Sequence, residues 1–115
     1  MYVSITRLKL RSIWSLAKFG RQSNLVARQA KAAPGNLMVK LSNRWFNTFY
    51  TITHWNSKEA MQQFMINGEH KKAMQQWAVY ASEVKVYGFE TMDPPTWKEA
   101  RLMVENKGRI TTRHA

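Results

Sequence analysis

Trp45-Phe46-Asn47-Thr48-Phe49-Tyr50-Thr51-Ile52-Thr53-His54-Trp55 is the strongest strand signal in the chain. Its aromatic and β-branched residues suit a pleated, half-buried surface. Alternation divides it into Phe46, Thr48, Tyr50, Ile52 and His54 on one side and Asn47, Phe49, Thr51, Thr53 and Trp55 on the other. Both sets hold large apolar groups, so both faces of this strand must be covered.

Upstream, Tyr2 to Leu10 is rich in β-branched and apolar residues and reads as a first strand. Ser12 is a helix N-cap, and the helix it opens runs to Ala32. At 100° per residue, Leu16, Phe19, Gly20, Val26, Ala27 and Ala30 gather on one side. Arg11, Lys18, Arg21, Arg28 and Lys31 gather on the other. Ala33-Pro34-Gly35 stops the helix, and Asn36 to Ser42 reads as a second strand with a hairpin turn at Asn43-Arg44.

Downstream, Asn56-Ser57 caps a helix with Ala60, Met61, Phe64 and Met65 as its apolar stripe. Gly68 interrupts it. A further helix then runs from Glu69 to Ala81, with His70, Ala73, Met74, Trp77 and Ala81 on one stripe. Glu83 to Met92 alternates as a fourth strand, and Asp93-Pro94-Pro95 ends it. Thr96 and Glu99 have capping-box spacing and open a last helix to Lys107. Residues 1–108 form one domain, and 109–115 read as a polar tail. The order is βαββαβ plus a helix. It predicts an α+β, ferredoxin-like fold, with a four-stranded antiparallel sheet and helices on one face. The other face must then be covered by a second subunit, a ligand or RNA.

Composition narrows the function classes. The 115 residues contain no cysteine, which excludes disulfides, thiolate metal sites and a cysteine nucleophile. His54, His70 and His114 are too scattered for structural zinc. No apolar run is long enough to span a bilayer. The net charge is +11, and residues 1–58 hold ten Lys or Arg and no acid. Such a field attracts anions, or it is simply a solvated face. An acid-free start has the composition of a transit peptide, but Tyr2–Leu10 reads as a strand and no signal-peptide apolar region follows. The expected location is the cytoplasm.

The run Thr51-Ile52-Thr53-His54-Trp55-Asn56-Ser57-Lys58-Glu59-Ala60-Met61, then Phe64, then Gly68-Glu69-His70-Lys71-Lys72-Ala73-Met74, resembles the dimeric α+β-barrel monooxygenases. It is similar to the branch of small proteins like spheroidene monooxygenase and the antibiotic biosynthesis monooxygenases. The resemblance covers residues 2–108 and includes the Ala-Pro-Gly turn and Pro95-Thr96-Trp97-Lys98-Glu99-Ala100. It implies a homodimer packed sheet to sheet, with a cavity for a hydrophobic, planar substrate between sheet and helices or between the two sheets. It leaves the cofactor open: none, because the substrate itself activates oxygen, or a haem on a helical histidine. His70 is the residue at that position. Ser4 and Thr6 stand where haem-degrading members carry an Asn near the iron, which speaks against haem degradation.

The expected site therefore comprises His70 as catalytic base, or as haem ligand if haem is bound, with Thr51, Thr53, Trp55 and Trp77 around the substrate. No other metal ligand is expected. His70 can also be read as a buried structural histidine beside Met74 and Trp77, and His54 as structural on the opposite face. A register slip of one residue would bring Tyr50, Ile52 and His54 to the cavity instead. Two other functions remain open. One is a non-catalytic dimeric ligand-binding domain. The other is an RNA-binding ferredoxin-like module, against which Arg44-Trp45-Phe46-Asn47-Thr48-Phe49-Tyr50 lacks the glycines of the RNA-recognition strand. No specific nucleic-acid partner is expected.

Overall fold

The computed structural model describes residues 1–45 and 47–113. The expectations for Phe46 and His114 lie outside the described residues. Five strands form one antiparallel sheet: β1 (Tyr2–Leu10), β2 (Asn36–Arg44), β3 (Thr48–Trp55), β4 (Ala81–Glu90) and β5 (Arg109–Arg113). Their order is β2-β3-β1-β4-β5. The first four have the ferredoxin-like arrangement expected for βαββαβ. The helices are α1 (Leu16–Ala32), α2 (Lys58–Ile66), α3 (Gly68–Val79) and α4 (Trp97–Lys107). A single 3-10 turn at Ile13–Ser15, capped by Ser12, leads into α1.

The sheet has five strands and not four, because Arg109–Arg113, read from sequence as a polar tail, pairs with β4. The hairpin turn lies later than Asn43-Arg44. Arg44 is paired with Thr48, so the chain reverses at Trp45, which has φ 60 and is exposed. The capping box at Thr96 and Glu99 forms with both of its hydrogen bonds.

Strand register decides which residues share a face. Tyr2 pairs with Trp55, Ser4 with Thr53 and Thr6 with Thr51; these point to the side of α1 and α3. Val3, Ile5 and Arg7 pair with His54, Ile52 and Tyr50 and point the other way. That second face is not bare. Val3, Ile5, Tyr50 and Ile52 pack against Ala100 and Val104 of α4. Helices on one face only was therefore too simple. The added helix covers the opposite side.

The α1 side has its own core, in which Leu8, Leu10, Phe19, Trp77, Ala81 and Val84 are buried together. Phe19, Ala27 and Ala30 are the buried positions of α1, whereas Leu16 is exposed at the helix start. Gly35 has φ +85, a conformation open to glycine at no steric cost. A Cβ there would come within 2.6 Å of Ala60 Cβ, so this turn packs closely on the start of α2.

Candidate functional site

A cavity of about 820 Å³ lies between the sheet and the layer of α1, α2 and α3. It forms within one chain. Of the two placements expected for the cavity, this one is between sheet and helices. The reason is register: the face with Thr51, Thr53 and Trp55 is the face that α1 and α3 cover. The volume falls in the range of small-molecule pockets.

All five expected residues line this cavity: Thr51, Thr53 and Trp55 from β3, His70 and Trp77 from α3. His54 does not. It is buried on the α4 side, and burial, then Lys40, lowers its pKa. The sheet floor also contributes Tyr2, Ser4 and Thr6, a row of hydroxyls from β1. Met61, Phe64 and Met65 of α2 and Met74 of α3 supply apolar wall.

Each of these side chains is held in its own way. Asn67 caps α3 by accepting from the amides of Glu69 and His70, which sets the start of the helix. His70 is buried and stacks on Phe64, centroid to centroid 3.6 Å. Its Nδ1 lies 3.1 Å from Gln29 Oε1 of α1. The imidazole donates to that carbonyl oxygen, which leaves the lone pair on Nε2. Burial drives the His70 pKa from 6.5 to about 4, so the ring is neutral at pH 7. Trp77 is tied into the core: its Nε1–H donates to Ser23 Oγ at 3.1 Å and its ring stacks on Phe19.

Trp55 is 1% exposed and lies against Phe64 at 5.2 Å between centroids. Its Nε1–H is buried and has no hydrogen-bond partner among the described residues. A buried donor left unpaired costs about 1 to 3 kcal/mol, so a ligand oxygen that reached it would gain what the protein leaves unmet. Thr53 Oγ1 donates weakly to the carbonyl of Ser4 at 3.5 Å.

Among the described residues no carboxylate lines the cavity, and the charged lining groups are Lys107 and Arg109. Arg109 pairs in register with Val86, which places it on the cavity side of β5. A second cleft of about 640 Å³ lies outside and shares Phe64 and His70 with the inner cavity as common walls. Gln29 and Asn67 line it.

The donor set bears on cofactors. Among the described residues no group of three or more His, Cys, Asp or Glu could hold a metal ion. Haem ligation requires an imidazole edge facing a flat slot as wide as the macrocycle. His70 is 2% exposed, stacked on Phe64 and held at Nδ1 by Gln29, which leaves Nε2 room to meet a single proton-bearing atom but not the face of a macrocycle. The residues present do not fit an axial haem.

Gln29, Ser23 and Arg109 were not singled out in the sequence. A signal existed for one of them. Ser23, Val26, Ala27 and Ala30 follow i, i+3, i+4, i+7, so Ser23 is a polar residue on a buried stripe. Gln29 sits at the margin of that stripe beside Ala30. Arg109 was hidden because its strand was read as tail.

No protein-family model and no curated protein matches the chain. Solved structures do. The cofactor-independent oxygenase SnoaB from Streptomyces nogalater, in a mutant form, matches with a TM-score of 0.73 at 13% identity, over 81% of this chain and 94% of that one. A candidate antibiotic biosynthesis monooxygenase from Deinococcus radiodurans matches with a TM-score of 0.74 at 17% identity, over 84% of this chain and 97% of that one. Another from Nitrosomonas europaea matches with a TM-score of 0.73 at 14% identity, over 81% and 100%. The chain is similar in fold to the antibiotic biosynthesis monooxygenase-like proteins, the dimeric α+β-barrel group; at these identities the likeness is one of fold.

Proposed function

We propose that the protein is a monooxygenase-like enzyme of the cofactor-free kind, acting on a flat, hydrophobic, hydroxylated polycycle. The observation that carries this reading is the 820 Å³ cavity, walled by rings and hydroxyls, with one neutral imidazole in its wall. The likeness of fold to a cofactor-independent oxygenase supports it.

His70 Nε2 takes a proton from an acidic C–H or O–H of the substrate. Its basicity is low, and the dry cavity compensates by bringing a neutral base to a neutral acid with no water between them. The Trp55 N–H donates to the substrate oxygen on which charge develops. The resulting anion supplies the electrons to O2. A ring CH2 becomes C=O, one oxygen atom is retained, and the other leaves as water with the two hydrogens. Lys107 and Arg109 at the β5 end favour a substrate that carries an acidic group.

One observation favours binding without turnover. At 2% exposure, His70 offers a substrate very little surface. Anthrone is a probe that separates the two readings. The enzyme reading expects one O2 consumed and one anthraquinone formed per anthrone, faster with protein than without, and lost in His70→Ala. Binding of anthrone with no acceleration supports the ligand-binding reading.

A homodimer completes the proposal. β2 is an edge strand, and its Leu37, Met38 and Leu41 are 56%, 43% and 49% exposed. Val39 and Leu41 also line the cavity, so a second copy seated on β2 would close that side. A cytoplasmic location belongs to the same reading.

A further inference from the structure

The outer side of α1, with the turn before it, combines exposed apolar groups with unpaired cations. Trp14 is 90% exposed and Ile13 50%. Beyond them, Lys18, Arg21, Leu25 and Arg28 follow i, i+3, i+7, i+10 and form one stripe, with Trp14 one turn before Lys18. All four are exposed. None of the ion pairs among the described residues includes Lys18, Arg21 or Arg28. The first carboxylate of the chain is Glu59, so no acid of residues 1–58 offsets them.

The occupant of this face follows from what it must satisfy. A second copy of the chain would bring the patch onto itself about a two-fold axis, setting cations against cations. A nucleic acid would satisfy the cations and leave Ile13 and Leu25 in water. An anionic bilayer meets both demands, because Lys and Arg stay among the headgroups while Trp and aliphatic groups enter the interface. Among the described residues no helix is long and apolar enough to cross a membrane. We propose that the α1 face, led by Ile13 and Trp14, docks the protein on the surface of an anionic lipid bilayer.

The test is co-sedimentation of the full chain with vesicles. The probe is phosphatidylcholine and phosphatidylglycerol in equal parts, against phosphatidylcholine alone. The expected result is binding to the anionic vesicles, about tenfold or more weaker on the neutral ones, and falling with added salt. Lys18→Glu with Arg21→Glu should abolish it, and Trp14→Ser should weaken it about tenfold at fixed salt. All three positions are exposed, and matched thermal unfolding checks that the variants fold. Failure of the parent to sediment, equal binding to neutral vesicles, or indifference to these substitutions would overturn the proposal. So would tighter binding to duplex DNA in the same buffer, or a dimer that Trp14→Ser dissociates in the absence of lipid.

Discussion

Buried without a charge partner, His70 couples stability to pH. Its folded pKa of about 4 lies below the ordinary 6.5, so the folded state prefers the neutral ring. This contribution is complete above pH 6.5 and is lost as pH falls from 6.5 towards 4, by up to about 3 kcal/mol. His54 is shifted in the same direction and adds to the slope. Urea unfolding between pH 7 and 4 should show the loss, and His70→Gln should remove most of it; an unchanged slope would contradict the burial argument. Gln29→Leu should leave the fold intact and release the imidazole tautomer, read from the ring nitrogen shifts. Alternation along β3 groups Thr51, Thr53 and Trp55, and the stripe of α3 groups His70 and Trp77; which face of β3 meets the cavity was given only by the family resemblance. Gln29 was not legible, since its role rests on a helix crossing that no local pattern encodes.

Among the elements, α4 and β5 are where sequence and structure part most. The capping box announced α4, but its docking face depends on a tertiary contact. Arg7, 2% exposed on β1, pairs with Glu83 of β4 and Glu105 of α4, and Tyr50 donates to Glu105 at 3.4 Å. This network pins α4 across the sheet. Arg7→Ala should cost about 3 kcal/mol in urea unfolding, because both carboxylates lose the buried guanidinium between them, and Arg7→Met should cost less by keeping the packing. Equal losses would show that the lost charge alone matters and that the packing of the side chain does not. β5 escaped notice because Arg109-Ile110-Thr111-Thr112-Arg113 is short and charged at both ends, features typical of a protected edge strand. Deleting 109–115 should lower Tm by about 5 to 10 °C, as expected for loss of roughly 1 to 2 kcal/mol. No change would mean that the strand contributes nothing to the sheet.

As a whole, the molecule is a sheet covered by helices on both faces, with one edge strand apolar and exposed and one helix face basic. A dimer should appear by light scattering at micromolar concentration; a monomer there would contradict the pairing through β2. The charge asymmetry was plain in the sequence, whereas the cavity was visible only as a set of residues that had to meet. The central claim is that this cavity receives a flat polycycle beside His70 and Trp55. It is tested most directly by following the tryptophan indole N–H signals by ¹⁵N–¹H NMR while anthraquinone-2-carboxylate is added. The Trp55 indole, identified with Trp55→Phe, should shift saturably along with the His70 ring nitrogens, while that of exposed Trp14 stays in place. Saturable binding that leaves Trp55 and His70 unmoved, or no binding at all, would contradict the account.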